Sequence, residues 1–169
     1  QTATVVDDPT ARGAEIHVGG PPGNENGCVR LRFHWDTETA RHDKEPTSMW
    51  VRVSQLFAGA GGGSVAHPRV GTEVIVCYED GDPDRPIVVG RVYNGIQPSA
   101  ALRKGAATIS TMTSLSSPGG KVFNEFQFDD TAGEEKVNLT AGKDWNSQVN
   151  HRRNENIGNN SSSSVGGNR

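Results

Sequence analysis

Leucine is scarce in this sequence, which has 5 Leu among 169 residues against 23 Val and Ile. Stiff β-branched side chains suit pleated strands better than helices. A further 30 residues are Gly or Pro, which weaken helix interiors. This composition excludes an all-helical bundle. Leu, Ile, Val and Phe together make up just under a fifth of the chain, a fraction typical of disorder, but a net charge of only −3 gives too little self-repulsion to support that interpretation.

Long apolar runs and cysteine pairs are also missing. No stretch of 18 apolar residues occurs, so the sequence predicts no membrane-spanning helix. The first residues lack the basic and apolar regions of a signal peptide, and the chain begins at Gln1 rather than Met, so we expect a piece of a longer protein. Cys28 and Cys77 are too few for a disulfide scaffold and are expected to be free thiols in a reducing cytoplasm.

Strand patterns recur through the first hundred residues. The segments 29–35 and 49–54 alternate apolar and polar residues, which is typical of half-buried strands. The segments 74–78 and 87–93 are more continuously apolar, which is typical of strands covered on both faces. With a weaker candidate at 15–18, five short strands fit a small closed barrel, in which closure removes exposed sheet edges.

The rest of the chain has a different character. Residues 94–120 are rich in Gly, Ser, Thr and Pro and are interpreted as a connector, and strand patterns resume at 126–128 and 137–139. Three apolar residues then follow at intervals of eight: Val149, Ile157 and Val165. One apolar residue per octad cannot form a core in one chain, but it can if several chains share an axis. The period therefore favours an oligomer, and a disordered polar tail is the alternative.

Six motifs, in the family's order and spacing, resemble the VgrG family, whose members are spikes of type VI secretion systems related to the central spike of contractile phage tails. They are Phe33–Asp36, Trp50–Gln55, Pro68–Val76, Gly81–Ile87, Gly90–Gly95 and Phe123–Asp130. The resemblance implies an all-β fold: an OB-fold barrel followed by an intertwined, trimeric β-helix. The implied domains are an N-terminal linker at 1–11, the barrel at 12–95, a connector at 96–125 and the start of the needle at 126–169.

The resemblance also implies a function. It predicts a non-enzymatic homotrimer that is a structural part of the spike, punctures target membranes and carries effectors. Its expected partners are the tail-tube protein, a tip protein and effectors, without a cofactor or small-molecule substrate. The spike would assemble in the bacterial cytoplasm and then be translocated into target cells. Val149, Ile157 and Val165 are the predicted axis positions, with Gly158 and Gly166 allowing tight turns in the repeat.

Two departures from the family pattern carry expectations of their own. The sequence has no room for the large N-terminal hub of the family. Residues 161–164 are four serines where Thr and Val commonly alternate, which should weaken packing there.

Catalytic and metal sites are not predicted. The densest carboxylates, Asp129, Asp130, Glu134 and Glu135, flank a turn signal and are interpreted as a solvated hairpin. The five histidines show no zinc-binding spacing. The glycine-rich segment 59–64 lacks the Lys of a phosphate loop and is interpreted as a flexible connection.

An OB-fold that binds single-stranded nucleic acid is the alternative function. Such folds use aromatic and cationic side chains on adjacent strands. The candidates here are Arg30, Arg32, His34, Trp50 and Arg52. Residues 1–100 contain 9 Lys and Arg against 13 Asp and Glu, a net charge of −4 that opposes phosphate binding. We therefore expect these arginines to pair with acidic residues on neighbouring strands or subunits.

Overall fold

The computed structural model describes residues 1–99 and 107–167, and strands dominate it. The strands are β1 (Thr2–Val6), β2 (Arg30–Phe33), β3 (Arg52–Val53), β4 (Ala58–Gly59), β5 (Gly62–Gly63), β6 (Glu73–Tyr78), β7 (Pro86–Val92), β8 (Ile109–Leu115), β9 (Phe123–Asp129) and β10 (Lys136–Thr140). One helical turn, α1 (Thr39–His42), and one 3₁₀ turn (Glu79–Gly81) complete the elements. The all-β class is confirmed.

The five-stranded sheet closes into a barrel. Its strand order is β2-β1-β6-β7-β3, with all neighbours antiparallel except the parallel pair β3 and β7. An antiparallel bridge between Val29 and Val51 joins the segments that lead into β2 and β3, and so connects the two ends of the sheet. Within the described ranges, no helix is long and apolar enough to cross a membrane.

One predicted strand is wrong, and a different segment takes its place in the barrel. Residues 15–18 form a loop, whereas β1 lies inside the range 1–11 that was predicted as a linker. Ala3 and Val5 on β1 are fully buried and alternate with Thr2 and Thr4. The alternation along β1 is a weak sign of a strand in the sequence, because one of its two buried residues, Ala3, has a small side chain. The strand is nevertheless central, since β1 pairs with both β2 and β6.

The core lies inside the barrel, and the outward-pointing residues of the described barrel strands are half-buried or exposed. Eight residues form it: Ala3, Val5, Val29, Leu31, Val51, Val74, Val76 and Val88. The prediction that β6 and β7 are covered on both faces is wrong for this chain, because Cys77 and Val89 point outward and are exposed. Trp35 is also outside the core, 61% exposed, because β2 ends at Phe33 and the two rings stack at 4.5 Å.

The glycine-rich segment is more ordered than predicted. Strands β4 and β5 pair as a short hairpin, and Gly61 in the turn has a φ of +75°, a conformation that favours glycine. The two cysteines are free as predicted, with Cys28 buried and Cys77 exposed.

A separate three-stranded antiparallel sheet, here called the second sheet, has the order β10-β9-β8. Strand β8 lies within the predicted connector 96–125, of which residues 100–106 fall outside the described residues, as do residues 168–169 at the end of the last octad. The Asp129–Glu135 segment does form the predicted hairpin turn. Asp129, however, is buried rather than solvated, because its carboxylate accepts hydrogen bonds from Thr131 and pairs with Lys136.

Candidate oligomer interface

The second sheet has an apolar face that no part of the chain within residues 1–99 and 107–167 covers. Residues directly opposite in an antiparallel sheet share a face, and the register aligns Met112 with Phe126 and Phe126 with Leu139, while Phe128 is opposite Val137. We call these five residues the apolar sheet face. All five are exposed or half-exposed, and Phe126 and Phe128 contact each other edge to face at 4.6 Å.

The opposite face of the second sheet is polar and internally bonded at its centre, with Ile109 at one end and the paired Leu115 and Phe123 at the other. Thr113 donates a hydrogen bond to the Glu125 carboxylate at 2.8 Å, and Asn138 donates one to the side-chain oxygen of Gln127 at 2.8 Å. The sheet is therefore amphipathic. Every fully buried apolar residue of the described chain belongs instead to residues 3–88. An exposed apolar face of this kind marks an interaction surface.

The predicted eight-residue repeat is visible in the backbone. After β10 the described chain runs on to residue 167 without a strand, and it bends at 142–143, 150–151, 158–159 and 166–167. Val149, Ile157 and Val165 each directly precede one of these bends. Their exposures are 51, 53 and 52%, so the three side chains are equally exposed in one chain. We call residues 141–167 the octad tail.

Gly158 and Gly166 lie at these bends, but one chain does not require glycine there. Neither has a φ in the left-handed region, and a Cβ on either would meet no described atom within 4 Å. Asn150 occupies the equivalent bend in the preceding octad.

Strand β8 was missed by the sequence analysis, and with it Met112. Its Ser and Thr content is typical of a connector, yet Ile109, Thr111 and Thr113 are β-branched at alternate positions, which favours a strand. That alternation was the available signal. It places Met112 on the opposite face from these three residues, beside Phe126.

Three of the residues proposed for the alternative nucleic-acid surface, Arg30, Arg52 and His34, already have partners. The Arg30 guanidinium lies 4.1 Å from the centre of the Trp50 ring, and its Nε is 3.6 Å from the Asp8 carboxylate. Arg52 pairs with Glu79 at 2.6 Å, and the His34 ring is 2.9 Å from the Thr2 hydroxyl. The expected pairing of arginines with acidic neighbours is confirmed for Arg30 and Arg52.

The Asp8 carboxylate that faces Arg30 stays ionised. Burial alone would raise its pKa, but hydrogen bonds from Thr10 and the His17 ring 3.1 Å away outweigh that effect and hold the pKa below its ordinary value. A buried carboxylate kept charged in this way neutralises Arg30. In the described ranges, no three His, Cys, Asp or Glu residues come together in a group that could hold a metal ion.

We expect no binding of single-stranded nucleic acid as a result. Fluorescence polarisation with labelled single-stranded DNA and RNA at physiological salt should show no affinity tighter than about 100 μM, the weak end of nonspecific binding. Because Arg32 is exposed on β2, Arg32→Ala is the informative variant. Micromolar binding that falls steeply with salt and is weakened by Arg32→Ala would contradict this expectation.

Comparison with known proteins matches both halves of the chain to domain families. Residues 24–93 match the type VI secretion system and phage-baseplate injector OB domain. Residues 110–169 match the bacteriophage T4 gp5 C-terminal trimerisation domain, and this range contains the apolar sheet face and the octad tail.

Individual relatives agree with these matches. The chain is 41% identical over 146 residues to the type VI secretion system spike protein VgrG4b of Pseudomonas aeruginosa and 44% identical over 151 residues to VgrG1b of the same organism. It is 39% identical over 137 residues to the actin cross-linking toxin VgrG1 of Vibrio cholerae. The alignments cover 83, 83 and 78% of this chain but only 18, 20 and 12% of the relatives, so the chain spans a fifth or less of their length.

Proposed function

We propose that this chain, which belongs to the VgrG family, is a structural segment of a homotrimeric type VI secretion spike that punctures target membranes and carries effectors. The observation that carries the proposal is the apolar sheet face, which is exposed in one chain and lies within the range matched to a trimerisation domain. Burying a large apolar side chain contributes about 1.5–3 kcal/mol. Three chains that cover these faces for one another gain this contribution many times over.

We further propose that the chain divides into a collar and a shaft. The collar is the barrel, which has its own core and includes β1. The shaft is a three-stranded β-helix that begins in the second sheet and continues through the octad tail. In the shaft, Val149, Ile157 and Val165 of each chain would meet near the threefold axis, and Gly158 and Gly166 would allow neighbouring backbones to approach closely. Backbone pairing between chains would leave no free sheet edges, so that the shaft resists bending under axial load.

The chain would have a mechanical rather than an enzymatic role. The two domain families that it matches are named as an injector domain and a trimerisation domain. This chain corresponds to only 12% of the length of the relative that is named as a toxin. We propose that the assembly forms in the bacterial cytoplasm and is then translocated into target cells. Its proposed partners are a tail-tube protein, a tip protein and effectors.

The mass in solution tests the proposal directly. Multi-angle light scattering of the purified chain should give about three times 18.0 kDa. A variant with Met112 and Leu139 both replaced by Lys should dissociate, because it places six cations on faces that would be buried in the trimer. Lys at Thr111 and Asn138, on the polar face of the same strands, is the matched control and should leave the mass unchanged. A wild-type mass of 18.0 kDa at every concentration would contradict the proposal.

A further inference from the structure

The junction between the barrel and the second sheet is not a packed core. Of the described elements, no barrel strand packs extensively against β8, β9 or β10. Instead, a cavity of about 670 Å³ separates the two units, and Val70, Tyr93, Pro98 and Leu115 are among the residues that line it. Because protein interiors are normally close-packed, something other than apolar packing must hold the two units at a defined angle.

A carboxylate from the barrel side spans this junction. Glu15 lies in the loop between β1 and β2, about a hundred residues before its partners in the chain. Its Oε1 accepts a hydrogen bond from the Gly119 backbone N–H at 2.6 Å, and its Oε2 accepts one from the Ser117 hydroxyl at 2.7 Å. Both partners belong to the turn between β8 and β9. Hydrogen bonds to an ionised acceptor are about twice as strong as neutral ones, and here both carboxylate oxygens are used.

Arg69, in the segment that leads into β6, contacts both Glu15 and the second sheet. Arg69 Nη1 lies 3.9 Å from Glu15 Oε2, and Arg69 Nη2 donates a hydrogen bond to the backbone oxygen of Leu115, the last residue of β8. The Val70 N–H donates to the Glu15 backbone oxygen at 3.0 Å, which fixes the loop that carries the carboxylate. Gly119 has a φ of +93°, so glycine suits the turn that presents its N–H to Glu15.

We propose that Glu15 is a positioning residue that clamps the second sheet to the barrel, and that the clamp opens when its carboxylate is protonated. All the contacts lie within one chain. The inference therefore goes beyond the proposed function and holds whatever the oligomeric state.

The charges around the clamp determine the direction of the pH dependence. Among the described residues, Glu15 is the one carboxylate that lines the cavity, and the other charged or titratable groups there are Arg69, Arg91 and Tyr93. The Gly119 and Ser117 hydrogen bonds, with Arg69 beside them, hold the pKa of Glu15 below its ordinary value. A carboxylate whose pKa is lowered by folding stabilises the folded arrangement above its ordinary pKa, and this contribution is lost as the pH falls through the lowered value. The junction should therefore loosen in acid.

Hydrogen exchange of the whole chain, followed by mass spectrometry, tests the clamp at segment 116–122, which contains the Gly119 amide. At neutral pH, Glu15→Gln should lower protection of this segment about threefold to tenfold, because an amide supplies one acceptor where the carboxylate supplies two. Glu25→Gln is the matched control. Glu25 also accepts a backbone N–H, from Gly23 at 3.0 Å, but within its own turn.

The pH series separates a clamp from a general loss of stability. Wild type and Glu25→Gln both keep Glu15, so both should lose protection of segment 116–122 as the pH falls below about 4, the ordinary range of a Glu carboxyl. Protection in Glu15→Gln should already be low and change little over the same range. Equal protection in wild type and Glu15→Gln at neutral pH would overturn the proposal. The same would follow if both had the same pH dependence, or if protection were lost equally in the barrel strands.

Discussion

Replacement of Ile157 by Asp should detach the octad tail while leaving the barrel folded. In the proposed trimer three copies of Ile157 lie close together near the axis, so the variant would place three carboxylates in a dry interior, where like charges strongly disfavour ionisation. Each chain also loses the burial of an Ile side chain, about 1.5–3 kcal/mol. Since symmetry repeats the defect three times, the assembly equilibrium should shift on the order of a thousandfold or more. Limited proteolysis should then remove residues from about 150 onward much faster than in wild type.

Asn159→Asp is the control for this experiment. It adds the same charge two residues away, on an exposed side chain at the same bend, and should leave the rate of tail cleavage unchanged. If the tail is lost at the wild-type rate in both variants, the eight-residue period does not mark a buried stripe, and a disordered polar tail becomes the better description.

Replacement of Val5 by Asp should unfold the barrel. Val5 is fully buried on β1, which lies between β2 and β6 in the sheet. The variant loses the burial of a Val side chain, about 1.5–3 kcal/mol, and the effective penalty of a buried ion adds several kcal/mol. A domain with a total stability of about 5–15 kcal/mol cannot easily absorb such a loss. Urea unfolding followed by circular dichroism should show a large decrease in the midpoint or no folded baseline at all.

Thr4→Asp tests whether the position on the strand matters, rather than the charge. Thr4 points to the other face of β1 and is paired in register with Arg32 on one side and Glu73 on the other. An added carboxylate there has one neighbour of each sign, so we expect a change in stability below about 1 kcal/mol. A wild-type midpoint for Val5→Asp would mean that residues 1–11 are a linker, as the sequence alone predicted.

Local patterns were sufficient for much of the fold. The alternation around Val29 and Leu31 predicted β2, the apolar segments near Val74 and Val88 predicted β6 and β7, and the turn signals between them were correct. Each of these depends on residues a few positions apart, since side chains alternate along a strand wherever one face is buried. The eight-residue spacing around Ile157 likewise predicted the regular bends of the octad tail, because a short period is a local property of the chain.

Long-range pairing decided the rest. The sequence by itself determined an all-β chain, four of the five barrel strands and the period of the tail, because alternation and turn residues act locally. Only the tertiary structure showed that β1 completes the barrel and that Met112 lies beside Phe126. It also showed that Arg30 is neutralised by Asp8 and that Glu15 reaches a turn about a hundred residues away. These features depend on which segments meet in space, and strand register and side-chain partners over such separations leave no periodic signal in the sequence.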